Sequence, residues 1–349
     1  MAKKILLIKL RHHGDVLLIT PLIEGLKFFD PEAVIDCLIY QESLPLLQHH
    51  RDVHQVLTVD RGWRKKSFFH RFKQELNLIR AIKNARYDMV FNLTEGDRGA
   101  LYAWLSGAKR RIGEDPCGTG FFGKRYCYTE MVSFQGVVKH QVEMHLDFLR
   151  KINLHPPSHV RKLSLYLTAA DEKAAAQVIT DKTVLIHPVS RWMFKAVPAF
   201  TMSQVANQLI RQGYQVVLTG SLDSAEVDYN REVYQSCPPQ HCINMTGQWS
   251  LGELSAGIKR APFFIGVDSL PMHIAAVFKT PTVAIFGPTS SKRWGPWENP
   301  HAILVEKGLS CQPCYRKGCQ NAGVSDCLET LGAEAILAAF FRLERKALA

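Results

Sequence analysis

The sequence predicts an α/β protein with two parallel sheets, and three observations carry that prediction. Short apolar or β-branched runs alternate with helix-period stretches from Lys4 onward. The alternation restarts after residues 155–168, which include His155-Pro156-Pro157. In both halves, Gly, Asp, Ser and His residues gather just beyond the C-terminal ends of apolar runs. Strands separated by helices of this length run parallel, because each return crossover consumes a helix. A chain of 349 residues has room for two cores, since one domain takes roughly 150 residues. The outcome is two Rossmann-like domains, 1–160 and 161–349, facing a central cleft.

In the first half, strands are expected at Lys4–Leu10, Val34–Tyr40, Gln55–Val59 and Met89–Leu93, with a further short one at Lys109–Gly113. Helical patterns fall at Pro21–Phe29, Ser43–His49, Phe68–Asn84 and Arg98–Leu105, and Val138–Ile152 closes the domain. The second half places strands at Thr183–His187, Gln215–Leu218, Phe263–Val267 and Thr282–Phe286. Helices are expected at Thr201–Gln212, Ser224–Tyr234 and Leu251–Lys259. Pro271 suits the first turn of another helix, where its missing N–H leaves no bond unmade. A terminal helix over 333–345 ends the chain, with the option of packing back on the N-terminal domain.

Composition removes several function classes. No apolar run reaches the roughly 18 residues a membrane span needs. The run Ile5–Ile8 is broken by Lys9, Arg11 and Asp15 and lacks a small-residue cleavage site, so a first strand and a cytoplasmic protein are expected. Leu10-Arg11-His12-His13-Gly14-Asp15 replaces the dinucleotide fingerprint after the first strand, and no Walker loop is present; both weigh against a dehydrogenase and a P-loop kinase. The net charge of +11 comes without any helix-turn-helix, zinc-finger or RNP signature, so no nucleic-acid partner is expected. Much of the charge is local. Arg61, Arg64, Lys65, Lys66, Arg71, Lys73, Arg80, Lys83 and Arg86 face only Glu75, which fits either a solvated helix face or a surface for phosphorylated lipid and bilayer headgroups. Trp63, Phe68, Phe69 and Phe72 are interleaved with these cations, although helical spacing assigns some aromatics to the core. Cys311, Cys314, Cys319 and Cys327 have a spacing open to structural zinc, a disulfide or reduced loop thiols; a catalytic metal is not expected.

The densest chemistry lies in Phe263–Thr289. An apolar strand delivers Asp268 and Ser269 to its C-terminal edge, Leu270 and Pro271 open a helix, and His273 follows in its first turn. The next strand ends in Gly287-Pro288-Thr289. Ligands of open parallel sheets bind outside the carboxyl ends of strands, and a helix N-terminus there favours phosphate. Asp15, in a strand-to-helix turn beside Gly14, fits a helix N-cap and also a general base. Lys195, in the loop after Thr183–His187, fits an ordinary surface lysine and also a cation for a departing diphosphate. Ser190 in the same loop is a candidate phosphate contact, and Glu226 or Asp223 a candidate for ribose hydroxyls.

The Asp268-Ser269-Leu270-Pro271-Met272-His273 turn with its following strand and Gly287-Pro288-Thr289 resembles the donor-binding signature of the ADP-heptose:lipopolysaccharide heptosyltransferases. Lys3–Lys27 is similar to that family's opening strand, Gly-Asp turn and helix, and Arg11-His12-His13-Gly14-Asp15-Val16 is most similar to its third inner-core type. The likeness in organisation spans nearly the whole chain and rests on three or four short motifs. It implies a GT-B fold and an inverting glycosyltransferase that uses no metal and no cofactor, with ADP-heptose as co-substrate. It further implies a lipopolysaccharide inner-core heptose as acceptor, and a peripheral place on the cytoplasmic face of the inner membrane, against its anionic surface. Asp15 matches the family's base. Lys195 matches its phosphate-contacting lysine; Val197 stands where tryptophan is common, which makes Arg191 a second candidate. Ser190, Arg191, Lys195, Glu226, Trp249, Asp268, Ser269, Leu270 and His273 would then meet the donor, Asp268 at the sugar and Trp249 at the adenine unless it is a core residue. Leu270 stands where relatives often carry glycine. Arg61, Arg64 and Lys65 would meet the acceptor's phosphates and carboxylates. Another nucleotide-sugar transferase, an epimerase, or a non-catalytic nucleotide-sugar or nucleic-acid binder are the alternatives.

Overall fold

The computed structural model describes residues 2–348, without the side chains of Arg64 and Leu348. The chain divides into two compact units, Met1–Tyr166 and Leu167–Ala349. In the first unit β1 (Lys4–Lys9) leads into α1 (His13–Leu17) and α2 (Thr20–Phe29). There follow β2 (Val34–Tyr40), β3 (Gln55–Val59), α3 (Phe68–Ala85), β4 (Met89–Asn92) and α4 (Asp97–Leu105). β5 (Arg110–Glu114), β6 (Glu130–Val132) and α5 (Gln141–Lys151) complete it. The six strands pair in parallel in the order β3-β2-β1-β4-β5-β6.

The second unit repeats the plan. It runs α6 (Ala169–Ala176), β7 (Thr183–His187), α7 (Ala199–Arg211), β8 (Gln215–Leu218), α8 (Ser224–Gln235), β9 (Cys242–Asn244) and α9 (Leu251–Arg260). β10 (Phe263–Val267), α10 (Leu270–Phe278), β11 (Thr282–Phe286), α11 (Ser291–Trp294), β12 (Ala302–Glu306), α12 (Asp326–Glu329) and α13 (Ala333–Leu348) follow. Its parallel order is β12-β11-β10-β7-β8-β9. Both sheets therefore start in the middle, wind outward, then return to build the other side. That order creates a switch point between β1 and β4 in one unit and between β7 and β10 in the other, where loops on neighbouring strands diverge and leave room for a ligand.

The central strands are apolar on both faces because helices cover both faces. Leu6, Ile8 and Val90 meet Leu78 and Ile82 of α3 and Tyr102 of α4. Val184, Ile265 and Val283 share a core with Met202 and Leu209 of α7 and with Ile336, Phe340 and Leu343 of α13. The terminal helix is thus part of the second unit's own core, packed on β11, β12 and α7.

Differences from the expected elements have local causes. The helix expected at Ser43–His49 is a 3-10 turn over Gln41–Leu46 with Pro45 inside, where proline cannot donate the bond that would propagate an α-helix. The closing helix begins at Gln141 instead of Val138, since His140 is its N-cap and accepts from the Val142 N–H at 3.2 Å. β6 and β9 were not expected; three residues each carry no readable period.

Two buried histidines tie stability to pH. The Asp52 N–H donates to His50 Nδ1 at 3.2 Å, so Nε2 carries the proton towards Ser164 Oγ at 2.9 Å. His187 Nδ1 lies 3.0 Å from Thr219 Oγ1. Burial pushes both imidazoles down to about 4, whereas a free imidazole titrates near ~6.5. Between those values the unfolded chain binds protons that the folded chain does not, so the stability these two groups contribute is full above that window and is lost as pH falls through it. Melting followed by calorimetry should show this drop, and His50→Gln with His187→Asn should flatten it. An undiminished drop in the double variant would assign acid sensitivity to other groups.

Candidate functional site

In the second unit the sheet order brings the sequence-predicted donor residues together. β7 is the neighbour of β10, and β10 of β11, with Gly266 opposite His187 and Val267 opposite Ile285. The loops after these three strands therefore leave the same edge side by side. Lys195, in a 3-10 turn after β7, places Nζ 2.6 Å from Asp268 Oδ2 and 3.3 Å from Asp268 O. Both side chains are largely withdrawn from water, 17% and 6% exposed. A buried charge is tolerated when paired, and this pairing fixes the ammonium at the strand edge. The turn is held from both sides: Ser325 Oγ donates to Phe194 O at 2.7 Å and Tyr229 OH to Val197 O at 2.8 Å.

Ser269 stands at the N-cap of α10 in extended conformation and makes no side-chain cap; its hydroxyl donates back to Val267 O at 3.3 Å. The leading amides and dipole of α10 thus address the Lys195–Asp268 edge, an arrangement suited to a phosphate group. Leu270 is the first helical residue and His273, within the opening turn, is buried. Across β11, Thr289 Oγ1 is buried and meets no hydrogen-bond partner among the described residues. A buried hydroxyl left so is costly, and a ligand oxygen would relieve it.

The remaining predicted donor residues serve the loops themselves to different degrees. Ser190 Oγ donates to Trp192 O at 2.9 Å and accepts from Trp192 N–H at 3.1 Å, closing its own turn. Arg191 is exposed, with its guanidinium 5.8 Å from the Trp192 ring. Glu226 is buried and accepts from Ser221 N–H at 2.7 Å, while Asp223 caps α8 through Ala225 N–H at 3.1 Å. Trp249 is half-buried and packs over Gly257 of α9, where an added Cβ would come within 2.7 Å of its ring.

In the first unit Asp15 is the third residue of α1, and His12 holds the N-cap position, so the carboxylate does not cap the helix. It lies at the β1–β4 switch point beside Lys9, the last residue of β1, with Nζ 3.8 Å from Asp15 Oδ1. Lys9 is buried and nearly saturated. Its ammonium donates to Leu93 O at 2.8 Å and reaches His145 Nε2 at 3.0 Å. His145 Nδ1 lies 2.9 Å from Leu18 O, which makes Nδ1 the protonated nitrogen and Nε2 the acceptor. Burial pulls the Lys9 ammonium down from its ordinary value, and the Asp15 charge opposes that pull. The ends of β1 and β4 are stitched together, since Leu10 N–H donates to Thr94 Oγ1 at 2.8 Å and Arg11 pairs with Glu95 at 2.7 Å.

Of the predicted acceptor residues, Arg61 pairs with Glu42 at 3.0 Å and lies over the Tyr40 ring at 4.0 Å. Lys65 is exposed. The side chain of Arg64 lies outside the described residues. Trp63 turns inward, against the core of the first unit, with Arg98 5.7 Å from its ring.

The cysteine-rich segment braces the site. Gln312 Nε2 donates to Gly287 O at 2.9 Å and Tyr315 N–H to Pro288 O at 2.8 Å, while Ser325 holds the Lys195 turn. All four thiols are free, and among the described residues no group of three or more His, Cys, Asp or Glu is placed to hold a metal ion. Burial, with the neighbouring Cys319, Cys314 and Cys311, pushes the Cys327 thiol up to about 11. Sequence reasoning did not find Lys9, His187, Asn230 or this bracing. Asn230 carried no signal, yet it is fully buried and donates to Thr219 O at 3.1 Å and Thr246 Oγ1 at 2.8 Å.

Comparison with known proteins gives a consistent result. The profile of glycosyltransferase family 9 (heptosyltransferase) matches residues 75–325. Lipopolysaccharide heptosyltransferase 3 of Escherichia coli is 31% identical over 305 residues, 83% of this chain and 85% of that protein. Lipopolysaccharide heptosyltransferase 2 of E. coli K12 is 24% identical over 308 residues, 82% and 83% of the two chains. Among solved structures, a family 9 glycosyl transferase from Veillonella parvula superposes with a TM-score of 0.82 at 23% identity, over 99% of this chain and 97% of that one. The E. coli ADP-heptose lipopolysaccharide heptosyltransferase II superposes at 0.81 and 20% identity, over 99% and 100%.

Proposed function

The chain belongs to glycosyltransferase family 9, the heptosyltransferases, and from that membership we propose that it moves L-glycero-D-manno-heptose from ADP-heptose to a heptose of the lipopolysaccharide inner core. It is a glycosyltransferase of lipopolysaccharide core biosynthesis. The observation that carries the donor assignment is Lys195, held 2.6 Å from Asp268 before the uncapped start of α10. There the diphosphate meets an ammonium and helix amides, with Ser269, Leu270 and His273 lining its approach and Asp268 facing the sugar. Asp15 takes the proton of the acceptor hydroxyl. The freed oxygen pair attacks the anomeric carbon from the face opposite the diphosphate, the bond to the diphosphate oxygen breaks, and ADP leaves with that electron pair, inverting the centre. Lys195 and the α10 amides supply the positive charge that the leaving group requires, so no metal ion enters the reading. Arg61, Arg64 and Lys65 meet acidic groups of the acceptor, and the protein works at the cytoplasmic face of the inner membrane as a peripheral enzyme. No helix among the described residues is long and apolar enough to cross a membrane.

Lys9 is a positioning residue for Asp15 in this scheme. Lys9→Met is expected to lower kcat by about ten- to a hundredfold, the order of one ion-pair contact partly screened by solvent, with ADP affinity unchanged. Equal losses in both would reduce Lys9 to a folding role. The donor assignment is tested by calorimetric titration with ADP, UDP and GDP. ADP should bind tightest; preference for another nucleotide would shift the reading to a different nucleotide-sugar enzyme, and no binding at all would remove it.

A further inference from the structure

The first two turns of α3 face solvent on every side. Residues 65–73 are all exposed, and Phe68, Phe69 and Phe72 are 71%, 82% and 54% exposed. Helical spacing alone would send some of these rings into the core. Among the described residues the helix is instead anchored by its later turns, through Leu78 and Ile82 in the core and Glu75, which pairs with Arg98 at 2.5 Å and accepts from Tyr102 OH at 2.7 Å. The leading turns project about 9 Å at ~1.5 Å per residue. The three rings gather on that projection, Phe68 and Phe69 with centroids 6.0 Å apart and Phe68 and Phe72 stacked at 6.2 Å. In the sequence they are flanked and interleaved by Arg61, Arg64, Lys65, Lys66, Arg71 and Lys73, with no Asp or Glu between Asp60 and Glu75.

We propose that this projection is a membrane-inserting wedge: Phe68, Phe69 and Phe72 enter the acyl boundary of an anionic bilayer while the surrounding cations hold its headgroups. It deepens the peripheral attachment proposed above and rests on it, but not on the identity of donor or acceptor. A contiguous apolar knob on a soluble surface marks a contact site, and an apolar knob ringed by cations matches an interface that is apolar below and anionic above. Two other occupants fit less well. A second copy docking through the same patch would set like charges against like. Single-stranded nucleic acid requires separated ring faces on which bases stack, whereas these rings are occupied with one another.

The test is co-sedimentation of the full chain with vesicles of phosphatidylcholine alone or mixed with phosphatidylglycerol. The wild-type chain should bind the anionic vesicles only. Phe68→Ser/Phe69→Ser/Phe72→Ser and, separately, Lys66→Glu/Arg71→Glu/Lys73→Glu should each weaken binding by about tenfold or more. Phe69→Ser alone, at the most exposed ring, gives the reading if the triple variant fails to fold. Anionic-vesicle binding unchanged in the serine variants would overturn the wedge. So would absence of vesicle binding together with either concentration-dependent self-association or retention on single-stranded DNA, both abolished by those variants. Because the readout is lipid binding, failure of sugar transfer would leave this result intact, and failure here would leave the transferase assignment intact.

Discussion

Asp15→Asn is expected to lower turnover by about a thousandfold, within the range for loss of a general base, while ADP binding stays unchanged. The side chain keeps its size, and its amide can still face Lys9, so the local structure has no reason to collapse. What disappears is the ability to take a proton from an acceptor hydroxyl. Asp15 is available for that role because His12, one turn earlier, occupies the cap position and leaves the carboxylate free of the helix amides. Its side chain is 16% exposed, enough for a hydroxyl to reach it. Steady-state kinetics with calorimetry of ADP binding separate the terms. A variant with wild-type kcat would remove Asp15 as base, and one that lost ADP affinity equally would point to a structural change.

Lys195→Met is expected to reduce kcat/KM by about a hundred- to a thousandfold, the scale of removing one preorganised stabiliser of developing charge. The single variant carries a confounding effect, because it leaves Asp268 buried without its cation. Breaking such a pair costs about 3–5 kcal/mol, and with Asp268 only 6% exposed solvent offers little compensation. Lys195→Met/Asp268→Asn resolves this. The double variant should recover most of the lost melting temperature and none of the activity. Recovery of both would mean that the pair serves the fold alone.

The sequence made the interior strands and the edge strand β3 legible, and left the edge strands β6, β9 and β12 opaque. Val34–Tyr40, Gln55–Val59, Thr183–His187, Gln215–Leu218, Phe263–Val267 and Thr282–Phe286 have the bounds that their apolar runs announce. Each is flanked by polar or turn residues, and strands covered on both faces read as near-continuous apolar runs. β12 escaped notice at the edge of its sheet, where only alternate residues are buried. On the donor side, the Asp268–His273 turn and Lys195 were visible as motifs, and parallel pairing of β7 with β10 brings them together. Lys9 was not visible. A lysine ending an apolar strand reads as the strand reaching water, and its burial depends on His145, 136 residues further on. Trp63 and Phe69 show the same limit from the other side: both sit among cations, yet one turns inward and the other stands in solvent. The cysteine spacing, open between metal and loop, acquires its bracing role only through Gln312, Tyr315 and Ser325, contacts that no spacing encodes.

The central claim is heptosyl transfer, and the most direct measurement is mass spectrometry of lipopolysaccharide with a truncated inner core after incubation with ADP-heptose and EDTA. A gain of one heptose is the expected result, with ADP released in equal amount. No gain while ADP still binds the protein would contradict the assigned transfer and leave only the fold and the nucleotide site.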